Sequence, residues 1–303
     1  MHPVIASSYC TQLLHPVIAF GYCAQLLRFL VVRSVIFKRQ VNNATGKDVS
    51  VSKDAETDLG SRASNASNAS RKRPSFNPQT QPWQPASNDL GAVPGDMLQV
   101  DFVRQVLARS IHEPLHLPDA FASRYMEVNA KAIEAAVLVP LIMRQNGITV
   151  LLTQRTDHLY DHAGQVSFPG GRVESTDADP IATALRETHE ETGLAPEHVN
   201  VLGHLPRYYT GTGFAVTPVT GLVRPTFTLA PDEFEVAEVF EVPLSFLTEP
   251  GNYRLHCATL SDGSTRHYYS VPWEGYFIWG ATAAMLHGLY QVLALAFSSS
   301  SRK

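Results

Sequence analysis

Three carboxylates stand close together in the middle of the chain: Glu187, Glu190 and Glu191, within Arg186-Glu187-Thr188-His189-Glu190-Glu191. On a helix over Pro180–Thr192 they fall at i, i+3 and i+4, on one face and within a turn of each other. Like charges at that spacing repel, and helix propensity gives nothing back. A hard divalent cation among them, Mg²⁺ or Mn²⁺, removes the repulsion and leaves coordination sites for substrate phosphate oxygens. That is the chemistry of a site for a metal-bound phosphate. A solvated acidic helix face has the same spacing. The neighbours decide between the two.

Pro169-Gly170-Gly171 lies just upstream, and glycines let a backbone turn tightly and approach a ligand closely. Backbone N–H groups there can hold a phosphate oxygen without adding a titrating group. Arg186 precedes the first glutamate and can orient carboxylates through its planar fork. It lies one step off the acidic face, which suits alignment better than substrate contact. Gly193 follows as a helix-ending C′ glycine. Loop, carboxylate-bearing helix and stop together make a candidate site for metal-bound phosphate. Glu190 and the downstream Glu235 are the candidates for a general base. His189 falls elsewhere on the helix and reads as a surface residue.

The elements that must position this stretch can be read around it. Residues 135–143 form a buried strand, Asn146-Gly147 a hairpin turn, and residues 148–153 the return strand. Further strands are expected at 199–205, 216–223 and 236–243, then 253–260 paired with 267–271 across Asp262-Gly263. A last helix covers 281–297. Ahead of all these, a helix from an Asp96 cap through Ser110 places Leu98, Phe102 and Val106 on one side. A short helix over 120–126 follows it. This order predicts an α/β class with a mixed sheet and helices on its faces.

The first 95 residues are different. A 13-residue unit occurs twice, HPVIASSYCTQLL and then HPVIAFGYCAQLL, too short and too few for a solenoid. Residues 1–40 form an apolar leader interrupted by Arg28 and Arg33. It has no run of 18 apolar residues, so a spanning helix and a membrane partner are not expected. The absence of any acid before Asp48 also resembles a targeting or anchor segment. Residues 41–95, rich in Ser, Asn, Pro and Gln, lack apolar periodicity and predict a disordered linker. A helical lead-in over 96–132 and a catalytic domain over 133–298 complete the division.

Two linked motifs resemble the Nudix hydrolase superfamily. Arg186, Glu187, Glu190, Glu191, Gly193 and Leu194 match the second half of the Nudix box, R-E-U-x-E-E-x-G-U. Thr188 replaces an aliphatic residue, and Asp177 stands at the early acid, with one extra residue before Arg186. An upstream signature, L-L-T-x-R-[S/A]-x3-R-x3-G-x3-F-P-G-G, resembles the coenzyme A pyrophosphatase branch. Leu151, Leu152, Thr153, Arg155, Gly164, Phe168, Pro169, Gly170 and Gly171 fall in register with it, while Thr156 and Tyr160 depart from it.

The resemblance implies an α/β/α sandwich and metal ligands at Glu187, Glu191 and Glu190. It implies substrate contacts at Arg155, Gly164, Phe168, Gly170 and Gly171. The implied reaction is metal-dependent hydrolysis of coenzyme A or its thioesters to 4′-phosphopantetheine, free or acylated, and 3′,5′-ADP. Nudix cleavage of ADP-ribose, dinucleotides or nucleoside triphosphates is the alternative, and a non-catalytic nucleotide-binding module a more distant one.

Composition narrows the partners. The 303-residue chain is 44% apolar with net charge −4. Up to Gly95 it carries 10 Lys and Arg against 5 Asp and Glu, and beyond it 14 against 23. An acidic body argues against nucleic-acid binding, which needs a basic footprint. Cys10, Cys23 and Cys257 make no ligand pattern or disulfide framework, so a reducing, cytoplasmic setting is expected. A homodimer is compatible with all of this.

Overall fold

The structure is a computed structural model, and it describes residues 76–86, 90–109, 132–158, 164–260 and 263–300. The tandem repeat and leader, the expected helix over 120–126 and Tyr160 lie outside them. In chain order the elements begin with strand β1 (Trp83–Pro85), helix α1 (Val100–Arg109), β2 (Ile133–Arg144) and β3 (Gly147–Arg155). Two short strands, β4 (Val166–Ser167) and β5 (Gly170–Arg172), lead into helix α2 (Pro180–Thr192). Then come β6 (Val199–His204), β7 (Tyr208–Tyr209), β8 (Phe214–Val223), β9 (Val236–Pro243) and the single turn α3 (Leu244–Leu247). β10 (Arg254–Thr259), β11 (Thr265–Trp273), β12 (Tyr276–Trp279) and α4 (Gly280–Ser300) close the order.

The larger sheet runs β4-β3-β2-β8-β6, with β5 added to β2, β7 to β8 and β9 to β3. β2 is its spine. It pairs in parallel with β8 along ten residues and antiparallel with β3 and β5, which makes the sheet mixed. Both faces of β2 are covered, so it reads as an almost continuous apolar run. Ala136, Leu138 and Ile142 pack with Leu151, Val219 and Ala184 beneath α2. Val139 and Leu141 pack on the opposite side with Leu286, Leu289 and Leu293 of α4. The second sheet, β1-β10-β11-β12, joins that same larger core through Val271 and Ile278. This is the expected α/β fold, with a mixed sheet between helices. α4 is long and apolar enough to cross a membrane by length and composition, but 67% of its apolar window is buried. It serves as a core helix here.

Two expectations are corrected. The linker reading extended to residue 95, yet Trp83–Pro85 pairs with β10 and both Ala86 and Val93 are buried. Three residues are too few for periodicity to reveal, and the hydrogen bonds that hold them come from a partner about 170 residues away. The first helix starts at Val100 rather than Asp96, because Pro94 opens a separate 3-10 turn, Gly95–Met97. Its buried face is Val103 and Leu107, an i, i+4 pair, while Phe102 and Val106 are half-buried flanks.

Candidate active site

Helix α2 begins and ends as its sequence dictates. The Asp179 carboxylate accepts from the Ala182 N–H at 2.8 Å, and Pro180 occupies the first turn, where no N–H is missed. Gly193, at φ +73°, closes the helix and donates its N–H to the His189 carbonyl. Thr188 is buried at a position where the Nudix box has an aliphatic side chain. Its hydroxyl donates back to the Ala184 carbonyl at 2.6 Å, and Thr192 does the same to Thr188. Back-bonding pairs both of these buried hydroxyls within the helix.

The three glutamates do not share one environment. Glu191 is 6% exposed. Its Oε2 accepts the Gly170 N–H at 3.2 Å, and its Oε1 lies 3.9 Å from the Arg155 guanidinium. Burial pushes its pKa up to about 8, and the charges of Glu235 and Glu187 add to that shift. Glu187 lies against Gly171: a Cβ at residue 171 would fall inside van der Waals contact with the Glu187 carboxylate. A side chain at 171 would have to push the Glu187 carboxylate aside. Glu190 is half exposed and turns to Arg186 at 3.3 Å. The expected single acidic face therefore divides into an inner pair, Glu187 and Glu191, and an outer member.

Arg186 organises the outer side. Nε and Nη2 donate to the two oxygens of Asp177 at 3.0 and 2.9 Å, a bidentate pair. Nη1 donates to Glu187 at 2.9 Å and reaches Glu190, and Nη2 also meets the Arg172 carbonyl. The Arg186 fork holds the Asp177 carboxyl far below the usual carboxylate range. Asp177 also accepts from the Glu174 N–H and the Thr183 hydroxyl, which ties the loop to α2. Asp177 is the residue missing from the expected site. Its signal was present, since it occupies the early acid of the motif nine residues before Arg186.

Among the other expected residues, Arg155 and Gly170 meet at Glu191, and Gly171 meets Glu187. Glu235 is brought near by the pairing of β3 with β9, where Thr156 donates its N–H to the Glu235 carbonyl. Gly164 takes φ +68° in the turn before β4, and its carbonyl accepts from Gln154. Phe168 is 3% exposed in the core, which gives it packing rather than a face toward substrate.

The residues fit a divalent cation. The donors are hard carboxylate oxygens. Glu191 is buried beside like charges, with a guanidinium only at the limit of ion-pair distance. A cation would reverse the upward shift of its pKa. As drawn in by Arg186, the carboxylates do not already form a closed set of three or more ligands among the described residues.

Residues 133–254 match the NUDIX domain. Nudix hydrolase NudL of Citrobacter koseri is 44% identical over 179 residues, which cover 56% of this chain and 92% of that protein. NudL of Salmonella newport is 47% identical over 158 residues, 52% of this chain and 80% of that protein. A MutT/nudix family protein from Enterococcus faecalis is more distant: 18% identity and a TM-score of 0.33, over 65% of this chain and 73% of that one. This chain belongs to the Nudix hydrolase family. It is a pyrophosphohydrolase, with its carboxylate helix and two-glycine loop in the arrangement just described.

Proposed function

We propose that the protein hydrolyses the pyrophosphate bond of coenzyme A or its thioesters, giving 4′-phosphopantetheine, free or acylated, and 3′,5′-ADP. The carrying observation is the meeting of Arg155, from the upstream signature, with Glu191, from the Nudix box, across 3.9 Å. The signature that resembles the coenzyme A branch is thus built into the same site as the carboxylates. Its Gly170 and Gly171 lie directly on Glu191 and Glu187.

In this reading Glu187 and Glu191 would hold Mg²⁺ or Mn²⁺, with Glu190 as a further ligand. The bound cation supplies charge neutralisation at the diphosphate and a more acidic water. The Gly170 N–H orients the Glu191 carboxylate, and Arg186 aligns Glu187 and Glu190 while Asp177 fixes its fork. Arg155, beside Glu191, is placed to contact a phosphate oxygen. Glu235 or Glu190 takes the proton from the attacking water.

A substrate panel with Mg²⁺ or Mn²⁺, its products separated by chromatography, tests the reading. It contains coenzyme A, acetyl-coenzyme A, ADP-ribose, NADH and a deoxynucleoside triphosphate. Metal-dependent release of 3′,5′-ADP from the first two is the expected result. Preferential cleavage of ADP-ribose, NADH or the triphosphate would overturn the substrate while keeping the metal site. Tight nucleotide binding with no cleavage would overturn the catalytic reading.

A further inference from the structure

Phe234 is 65% exposed, more than any other large apolar side chain among the described residues. Single apolar residues at a surface are common, so its position decides whether this one matters. Trp83, also exposed, is faced by the Arg254 guanidinium 4.4 Å from its ring, and Phe76 packs against Tyr268 and Trp279. Phe234 has only a tilted aromatic neighbour among the described residues, the exposed His158, with ring centroids 4.9 Å apart. Most of its surface stays open.

The backbone at Phe234 is held from both sides. Its N–H donates to the Asp232 carboxylate at 2.9 Å, and its carbonyl accepts the Thr156 hydroxyl at 2.8 Å. Glu235 and Val236 donate their N–H groups back to the Asp232 carbonyl. The same turn is tied to the carboxylate helix. Asp232 donates its N–H to the carbonyl of Glu191 itself at 3.0 Å, and Ala230 donates to the Thr192 carbonyl at 2.9 Å. On the other side, Thr156 and His158 closely follow Arg155, whose guanidinium lies 3.9 Å from Glu191. Glu235, the residue after Phe234, bears on Glu191 through its charge. The ring thus stands between two segments that both meet Glu191, at the rim of the carboxylate site.

An aromatic face held there suits a planar base. Every nucleobase has a π face, and stacking tolerates small differences in placement. Two rigid planes also lose little rotamer freedom when they meet, whereas a flexible pantetheine arm would lose much and gain no stacking. Adenine is joined through one ribose to the diphosphate that the carboxylates would take, so base and diphosphate are neighbours in the ligand as the ring and Glu191 are in the protein. We propose that the adenine base of the substrate stacks on Phe234, with His158 bracing the ring from the side. The inference rests on the coenzyme A reading and assigns its nucleoside end.

The test is steady-state hydrolysis of coenzyme A by the full chain with Mg²⁺, in wild type, Phe234→Ala and Phe234→Tyr. The two products, 3′,5′-ADP and 4′-phosphopantetheine, serve separately as inhibitors. Phe234→Ala should raise KM and the inhibition constant of 3′,5′-ADP by roughly tenfold, the scale of one lost base stack. It should move kcat far less and leave inhibition by 4′-phosphopantetheine unchanged. Phe234→Tyr keeps the ring face and should restore 3′,5′-ADP to near its wild-type value. Unchanged inhibition by 3′,5′-ADP in Phe234→Ala would overturn the proposal, as would equal weakening of both inhibitors, which points to the turn rather than the ring. Weakening of 4′-phosphopantetheine alone would put the other arm on Phe234. Failure of the substrate reading is separate: wild type would then release no 3′,5′-ADP from coenzyme A. The same proteins are in that case compared on ADP-ribose, with AMP and ribose 5-phosphate as the inhibitors, and loss of AMP alone is again the expected result.

Discussion

The two sheets of this protein each bury a polar cluster, and the clusters are opposite in kind. On the second sheet His256 is 1% exposed, with Nδ1 3.2 Å from the Gln81 carbonyl and Nε2 2.8 Å from the Ser270 hydroxyl. Its ring stacks on Tyr268 at 4.7 Å. Those partners fix a neutral tautomer: Nδ1–H donates to the carbonyl and Nε2 accepts from the serine. Burial lowers the His256 pKa, and His287, among Tyr253, Tyr269 and Tyr290, is pushed down to about 4 for the same reason. A Ser–His pair suggests a nucleophile, but the serine is fully buried and, among the described residues, the ring nitrogens meet Gln81 and Ser270 rather than a carboxylate. The first sheet carries the reverse. Glu191 is almost as buried, yet its charge faces other carboxylates and only a distant guanidinium. Burial alone therefore does not mark a working site. A buried ionisable group whose charged form lacks full compensation does.

The sharpest way to break this comparison is Glu191→Gln. Turnover on the cleaved substrate should fall by roughly two orders of magnitude or more, as loss of a metal ligand's charge requires. The metal-free variant should be at least as stable as wild type at pH 8, because a buried, poorly paired carboxylate has gone. Steady-state kinetics and urea melts on one preparation check both. Near-normal turnover would mean that Glu191 is a structural acid, like the histidines a structural base.

Arg186→Lys comes next. Lysine keeps the charge but cannot make the bidentate contact with Asp177 while also reaching Glu187 and Glu190. A loss of about 10–100-fold in activity or metal affinity is expected, the usual effect of removing a group that orients ligands. Raising the Mg²⁺ concentration should restore part of it. A variant with wild-type activity and an unchanged Mg²⁺ requirement would remove Arg186 from the positioning role.

Much of this site was legible in the sequence because it is local. Asp179, Pro180 and Gly193 write the bounds of α2 into fourteen consecutive positions after the cap, and the helix runs over Pro180–Thr192 as its spacing predicts. Glu187 and Glu191 follow from that period. What the sequence hid depends on distant partners. The split of Glu190 from its neighbours is set by Arg186, which Asp177 anchors from the preceding loop. Phe168 sits inside a motif yet lies in the core, since a motif letter does not say which face of the chain it occupies. β1, β4, β5, β7 and β12 are two to four residues long, too short to show a period of two. Residues 76–86 looked like linker because the strand they join, β10, is remote in sequence.

The pH dependence of stability should differ between the clusters. Glu191 titrates near 4.5 when unfolded and at about 8 when folded. A raised carboxyl pKa means the native state holds the extra proton. Its stabilising contribution is complete below the unfolded value and is lost as pH climbs through the folded one. Metal-free wild type should lose up to about 1.4 kcal/mol per pH unit across that window, and Glu191→Gln should show a flatter profile. Saturating Mg²⁺ should also flatten the wild-type slope, because the cation binds the deprotonated form. Urea melts at pH 5, 6, 7 and 8 in EDTA and in Mg²⁺ give the answer. Equal slopes in wild type and Glu191→Gln would remove the buried charge from the comparison.

The smallest effect is expected on the second sheet. Ser270→Ala deletes the hydroxyl that donates to His256 Nε2 and leaves a buried acceptor unpaired. The cost should be about 1–3 kcal/mol of stability, with turnover unchanged under conditions where the variant is folded. The two readouts separate the roles cleanly, since a structural contact moves only the melt and a reacting group moves the rate. A tenfold fall in turnover with an unaltered melt would show that the His256 cluster communicates with the carboxylates. The contrast between a satisfied polar core and an uncompensated charge would then no longer distinguish the two sheets.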